Sequence, residues 1–228
     1  KKSGTMGDFS CYSFHSAKNI TTLGEGGMIY VKDKNLANQV KGLRHNGHSD
    51  FKYKRSHYWL PAMGNLDIDI KNKWPFKFTL SEVQCGAGIV MLKKLDSFNN
   101  IRIKRAKKLI QSLKDFKELD FNAEFRNKRH VYHLLSAYYK PSKNNNRDNL
   151  INLLYKKYKI KCAIQYYPLY RYDLFKKMKI KKNKCENTDK FYDNMISFPF
   201  HLWMTDNDFS YLIRSVKNCL VELREKKY

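Results

Sequence analysis

The chain has 228 residues, with 45 Lys and Arg against 21 Asp and Glu, for a formal charge of +24. Hydrophobic residues make up 42% and aromatics 14%, enough for one large or two small packed domains, which excludes a disordered chain. No stretch approaches the roughly 18 unbroken apolar residues of a membrane span, and no apolar run follows a basic start as in a secretory signal. A cytoplasmic setting without membrane contact is therefore expected.

The five cysteines are Cys11, Cys85, Cys162, Cys185 and Cys219, scattered and without a C-x-x-C pair. That spacing excludes a zinc ribbon or a disulfide framework, so reduced thiols and no metal are expected. Lysines outnumber arginines 35 to 10. A nucleic-acid reader more often uses arginine, whose planar fork pairs with phosphate and guanine. The charge is spread along the chain, so a solvated lysine-rich surface is the expected reading. The competing reading, a basic nucleic-acid-binding domain, predicts binding that weakens steeply with salt. The sequence starts at Lys1-Lys2-Ser3-Gly4 rather than Met, and patterned segments follow at once. We expect it to be the C-terminal part of a longer protein.

In chain order, residues 9–15 alternate aromatic with small or polar side chains and predict a strand. A polar loop and the turn Gly24-Glu25-Gly26-Gly27 precede a second strand over 28–31. Residues 35–43 predict a helix, and 44–78 read as irregular. Ser81 opens a long helix with Gln84 as its capping-box partner. The helix's apolar positions, Val83, Ala87, Met91, Leu95, Phe98, Ala106, Leu109 and Leu113, define one buried face. Gly86 and Gly88 weaken it by about 0.8–1 kcal/mol each unless another element packs closely there. The basic run Arg102, Lys104, Arg105, Lys107 and Lys108 is expected to be solvated. Beyond Asp120, residues 130–139 predict a strand, 147–158 an amphipathic helix, and 161–167 a strand ended by Pro168. A short helix closing at 192–195 precedes Ile196-Ser197-Phe198-Pro199. Thr205 caps a final helix with the stripe Phe209, Leu212, Ile213, Val216 and Leu220. Alternating strands and helices predict an α/β or α+β domain behind the long helix.

The segment with chemical content runs from Gly7-Asp8 through Ser13-Phe14-His15-Ser16-Ala17-Lys18-Asn19 to Gly24-Glu25-Gly26-Gly27. It places a lysine in a loop just after a strand, a serine five residues earlier and a glycine turn behind. A lysine held partly desolvated over a pocket has more neutral amine with which to attack a carbonyl. Ser13 offers a hydroxyl to a phosphate, and the turn lets backbone approach a ligand. By spacing alone, Lys18 reads equally as a surface charge and Ser13 as an ordinary strand serine.

The string S-F-H-x-x-K-N-x-x-x-x-G-E-G-G, preceded by G-D, closely resembles the DegT/DnrJ/EryC1/StrS sugar aminotransferases. These are pyridoxal-phosphate enzymes of aminotransferase fold type I. Thr79-Leu80-Ser81-Glu82-Val83-Gln84 followed by Leu92-Lys93-Lys94-Leu95-Asp96 is similar to the family's long helix. His133-Leu134-Leu135, Tyr166-Tyr167-Pro168-Leu169-Tyr170 and Ser197-Phe198-Pro199 before Thr205-Asp206 resemble later family segments, in the right order.

The resemblance implies an α/β fold of that type. Residues 1–80 would be the C-terminal remnant of the large cofactor-binding domain, 81–115 a long connecting helix and 116–228 a small C-terminal α/β domain. It implies pyridoxal 5′-phosphate as cofactor and amino transfer, usually from glutamate, to a keto group on a nucleotide-activated deoxysugar for cell-surface polysaccharide or lipopolysaccharide. Lys18 matches the lysine that forms the internal aldimine with the cofactor and shuttles the proton. Ser13 matches the serine that hydrogen-bonds its phosphate. A dehydrating branch of the family has histidine at this lysine position; this chain keeps lysine. The resemblance also implies a homodimer with each active site shared between subunits, and neither nucleic acid nor membrane as partner.

The chain departs from the family at several points. The family's G-Y-N-Y-R motif, whose Asn reaches the cofactor phosphate across the dimer, aligns with Trp74-Pro75-Phe76-Lys77-Phe78-Thr79. Lys77 stands near the Asn position, where it neutralises phosphate as a point charge or is a surface residue with Asn65, or nothing, in the role. Gly64-Asn65-Leu66-Asp67 reads as an insertion. Tyr166 replaces the family's histidine, either to stack on a nucleotide base or hydrogen-bond a diphosphate or as a buried strand tyrosine. His15 lines the sugar pocket or is a core histidine with a backbone partner. The phosphate-gripping helix start and the Asp that protonates the pyridine nitrogen are not found, and Asp8 is too near the lysine strand to serve. A truncated or inactive relative is therefore the alternative reading.

Overall fold

The structure, a computed structural model, describes residues 2–50, 54–66, 70–71, 74–122, 127–178 and 185–225. It divides into two units, Lys1–Asp96 and Ser97–Tyr228.

The first unit starts with strand β1 (Phe9–Ser13), paired antiparallel with β2 (Gly27–Val31) in a register that sets Phe9 opposite Val31 and Ser13 opposite Gly27. Helix α1 (Lys34–Leu43) follows, capped by Asp33, whose Oδ1 accepts the Leu36 N–H at 2.8 Å. The segment expected to be irregular contains a short antiparallel pair, β3 (His48–Asp50) and β4 (Met63–Asn65). Of the expected insertion, Asp67 lies outside the described residues.

Helix α2 (Glu82–Ser112) begins in this unit and ends in the second. Its capping box forms as expected: the Gln84 N–H donates to Ser81 Oγ at 3.3 Å, and Gln84 Oε1 accepts the Ser81 N–H at 3.2 Å. The continuous buried face does not form. Val83 is exposed, Ala87, Met91, Leu95 and Phe98 are half-buried, and only from Asn99 onward are side chains buried. The helix's first half lies in a unit where no described apolar side chain is buried; the buried residues there are Thr22 and Gly42. Gly88 justifies the expectation of close packing, because a Cβ there would lie 3.0 Å from Thr22 Cγ2. Gly86 does not: nothing lies within 4 Å.

The second unit holds an antiparallel sheet ordered β5 (Leu119–Phe121), β6 (Leu135–Tyr139), β7 (Met195–Phe198). On β6, Leu135, Ala137 and Tyr139 are buried while Ser136 and Tyr138 are partly exposed, the alternation of a sheet with one face on the core. Helix α3 (Arg147–Tyr158) has the predicted bounds, with Asn146 and Asn149 forming a reciprocal capping box. The short helices α4 (Asp173–Lys177) and α5 (Glu186–Asn194) precede β7. In helix α6 (Asp206–Glu225), Thr205 caps as expected through Asp208, and the predicted stripe is buried in full, joined by Cys219 and Leu223. This stripe, Ala106 and Leu109 of α2, Leu150 and Leu154 of α3 and the inner face of the sheet form one hydrophobic core.

Three expectations are corrected here. The strand over 130–139 is confined to 135–139, because Tyr132 takes a positive φ of 50° and its N–H is drawn to His130 Nδ1 at 3.0 Å. The strand over 161–167 is absent; only Ala163 bridges Ser197, and the chain turns through a cis Gln165–Tyr166 peptide. The basic run is not uniformly solvated. Arg102 is buried, donates from Nη1 to the Tyr132 carbonyl at 3.2 Å and lies over the Phe200 ring. Burial lowers its pKa below the usual guanidinium value.

Glu118 pairs with Arg224 through two oxygens, and Asp193 with Arg171. Hydrogen bonds from Arg224, Arg171 and the Thr205 hydroxyl hold Glu118, Asp193 and Asp208, respectively, below their usual pKa values. Lowered native pKa values mean that the folded chain binds fewer protons than the unfolded chain in this range. Their contribution is complete above the unfolded carboxylate pKa of about 4 and is lost as the pH falls through the native values. Thermal melts from pH 7 to 2 should show Tm falling below about pH 4, with a shallower acid decline in Glu118→Gln.

Candidate functional site

Lys18 sits in the loop that joins β1 to β2. The hairpin extends past its strands: the Phe14 N–H donates to the Gly26 carbonyl at 2.8 Å and the Ser16 N–H to the Gly24 carbonyl at 2.7 Å. The loop then folds back. The Lys18 N–H donates to the His15 carbonyl at 2.9 Å, and the Thr22 N–H to the Phe14 carbonyl at 3.1 Å. Leu23, at φ 63°, and Gly24, at φ 130°, make the reversal into β2.

Lys18 is half-buried, and its Nζ has no hydrogen bond or ion pair among the described residues. Ser13 ends β1 and is exposed; its Oγ accepts the His15 N–H at 3.3 Å. That leaves its hydroxyl proton for another acceptor. His15 is half-exposed. Its Nδ1 accepts the Ala17 N–H at 3.1 Å, and its Nε2 lies 3.6 Å from Glu25 Oε1. The expected backbone partner is therefore present, but the ring is not in a core. Thr21 Oγ1 is buried without a hydrogen-bond partner among the described residues.

These groups lie in one loop. The other expected site residues lie apart from it in the chain. Lys77 is exposed, in a segment bridged to His45, and no hydrogen bond or ion pair among the described residues links it to residues 13–26. Asn65 lies in β4 opposite His48. Tyr166 belongs to the second unit and is 63% exposed, not a buried strand tyrosine.

Sequence reasoning missed the residues that shape the loop. Thr22 is 2% exposed, donates from Oγ1 to the Glu25 carbonyl at 3.2 Å, and presents its methyl to Gly88. A Cβ on Gly26 would overlap Thr22 Oγ1 and press on Leu80 and Phe14. The signal was the adjacent Thr21-Thr22 pair ahead of the glycine turn.

The donor set fits a phosphorylated aldehyde such as pyridoxal 5′-phosphate. A primary amine without an ion pair can condense with a carbonyl, the Ser13 hydroxyl can donate to a phosphate oxygen, and Thr21 keeps a buried hydroxyl unsatisfied.

The model of the DegT/DnrJ/EryC1/StrS aminotransferase family matches residues 1–217, and the chain belongs to that family. It is 31% identical over 235 residues to the UDP-4-amino-4,6-dideoxy-N-acetyl-beta-L-altrosamine transaminase of Campylobacter jejuni, covering 99% of this chain and 55% of that protein. It is 30% identical over 226 residues to an uncharacterized protein of Methanocaldococcus jannaschii, covering 98% and 57%. Among solved structures it resembles Helicobacter pylori PseC, an aminotransferase involved in the biosynthesis of pseudoaminic acid, with TM-score 0.81 and 22% identity over 97% of this chain and 56% of that one. An aminotransferase from Psychrobacter cryohalolentis gives TM-score 0.84 at 17% identity, over 99% and 59%. The fold is thus the α/β fold type I of these aminotransferases, and the chain spans a little over half the length of the relatives it matches.

The glycines of this site separate packing from propensity. Gly26→Ala should destabilise the protein by about 1–3 kcal/mol through overpacking. Gly86→Ala, with open space around it, should stabilise α2 by about 0.8–1 kcal/mol. Thermal melts of the two variants beside wild type check both signs.

Proposed function

We propose that this chain is the lysine-bearing part of a pyridoxal-phosphate-dependent aminotransferase that acts on a keto-deoxysugar carried by a nucleotide, with glutamate as amino donor. The carrying observation is Lys18: a half-buried amine without an ion pair among the described residues, on a loop braced by its own backbone. Family membership and the nucleotide-sugar name of the Campylobacter jejuni relative support the substrate class.

In this reading the bound cofactor supplies an electron sink for the carbon that bears the transferred nitrogen. Lys18 would hold the cofactor through Nζ, and when free would take a proton from the substrate carbon and return it. The Ser13 hydroxyl donates to a phosphate oxygen. Lys77 adds positive charge for the phosphate as a point charge. His15 borders the sugar, and the exposed Tyr166 ring offers a face to the nucleotide. Residues 1–80 belong to the large domain, 81–115 connect and 116–228 form the small domain, in a cytoplasmic homodimer whose sites are shared between subunits. The first unit's exposed Phe9, Met28, Ile29, Trp74, Phe76 and Phe78 support that assembly, since uncovered apolar surface of this kind is ordinarily buried against further protein.

Borohydride reduction of the full-length protein with pyridoxal 5′-phosphate, followed by peptide mass spectrometry, tests the reading. The cofactor mass should appear on the Lys18 peptide, and Lys18→Ala should lose it together with about 10²–10⁴-fold of the transamination rate. Ser13→Ala should weaken cofactor binding by about 10- to 100-fold, the effect of one hydrogen bond to a charged group. Label on another lysine, or on none, would sink the proposal.

A further inference from the structure

Gln84 does more than cap a helix. Its Oε1 accepts from the Ser81 N–H at 3.2 Å and from Ser81 Oγ at 3.1 Å, completing the first turn of α2. Its Nε2 donates to the Glu25 carbonyl at 2.9 Å, across 59 residues of sequence. The orientation of this amide is fixed by its partners, because a backbone N–H only donates and a backbone carbonyl only accepts. One side chain therefore joins the start of α2 to the loop that carries Lys18.

The connection reaches the lysine through backbone. Glu25 lies between Gly24 and Gly26, whose carbonyls hold the N–H groups of Ser16 and Phe14. The His15 carbonyl between them holds the N–H of Lys18. Displacing Glu25 must therefore displace the turn on which Lys18 sits. Capping alone does not call for glutamine. Glutamate serves equally in a capping box, and its charge suits a helix N-terminus better. The Nε2 donor is what glutamine supplies and glutamate lacks.

We propose that Gln84 is a positioning residue, which holds the loop at Glu25 and so sets Lys18 for its chemistry. This rests on the reading of Lys18 as the cofactor lysine.

Gln84→Glu keeps the acceptor for Ser81 but sets a carboxylate oxygen against the Glu25 carbonyl, so the cap survives and the tether is lost. Ser81→Ala does the reverse: it removes the cap hydroxyl and keeps the tether. Both variants are compared with wild type in the full-length protein without added cofactor. Readouts are Tm, amide hydrogen exchange over residues 14–26, and the pH profile of Lys18 acylation by an amine reagent, read by peptide mass. Gln84→Glu should leave Tm near wild type, speed loop exchange about 10-fold, the scale of one lost hydrogen bond, and shift the Lys18 profile. Ser81→Ala should lower Tm and leave the Lys18 profile in place. Should the glutamate variant fold poorly, Gln84→Met, which removes both the tether and the Oε1 acceptor for Ser81, is read against Ser81→Ala, which removes a cap contact alone. An unchanged Lys18 profile in the Gln84 variants, or an equal shift in Ser81→Ala, overturns the proposal. Failure of borohydride trapping at Lys18 in wild type would instead remove the functional reading, while the cofactor-free readouts still decide whether Gln84 sets the loop.

Discussion

The carbonyl oxygen of Glu25 has two lone pairs, and two side chains occupy them: Thr22 Oγ1 from within the loop and Gln84 Nε2 from α2. The loop's other contacts are its own backbone bonds and the local side-chain contacts of Ser13 and His15. Fixing each residue's backbone costs about 1–2 kcal/mol of entropy, so contacts from outside the loop help to hold its shape. Thr22 supplies a second anchor by burial. Its methyl faces Gly88, and its hydroxyl occupies the space that a Cβ on Gly26 would need. The glycines are explained by this threonine as much as by the turn.

The two units use different means of stabilisation. The second unit buries one continuous core, with Leu109, Leu135, Leu150, Leu154, Phe209 and Leu220 all nearly inaccessible. Each such side chain contributes about 1.5–3 kcal/mol by leaving water. The first unit has no equivalent among its described residues, and a two-stranded hairpin is only marginally stable by itself. Its described residues are joined by short strand ladders, a capped helix, the hydrogen bonds around the Glu25 carbonyl and a few tight contacts. Apolar surface on the first half of α2 and on the hairpin is left uncovered, which agrees with a chain that spans a little over half of its relatives.

What was legible in the sequence follows from this difference. The α6 stripe and the bounds of α3 were read correctly because period and caps agree there, and both helices pack on a core. The α2 stripe misled because periodicity records which residues are apolar, not whether anything covers them. Residues 161–167 have strand composition, but their pairing stops at Ala163, and composition does not encode pairing partners. At the candidate site, Lys18 and Ser13 stood out only as parts of a longer string, since a lysine after a strand is common in a chain with 35 of them. Thr22 and Gln84 were not legible as site residues. Their roles depend on contacts between a loop and a helix start 59 residues apart, and Gln84 already had a sufficient local explanation as a cap.

The same contrast between local and distant explanation accounts for the basic residues. Several arginines donate to carbonyls of irregular backbone. Arg55 donates to the carbonyls of Tyr58 and Leu60, Arg102 to that of Tyr132, Arg105 to those of His201 and Leu202, and Arg147 to those of Tyr192 and Met195. Each of these carbonyls lies where the chain lacks a regular ladder or at the end of an element. A planar fork with five N–H groups can serve two carbonyls at once, which an ammonium does less well. Arg171 and Arg224 instead take carboxylates in bidentate fashion. Much of the surface charge is carried by the 35 lysines, nearly all of them exposed among the described residues, as suits strongly hydrated ammonium heads. Lys18 departs from that pattern: it is a half-buried lysine in the loop that Thr22 and Gln84 hold in shape.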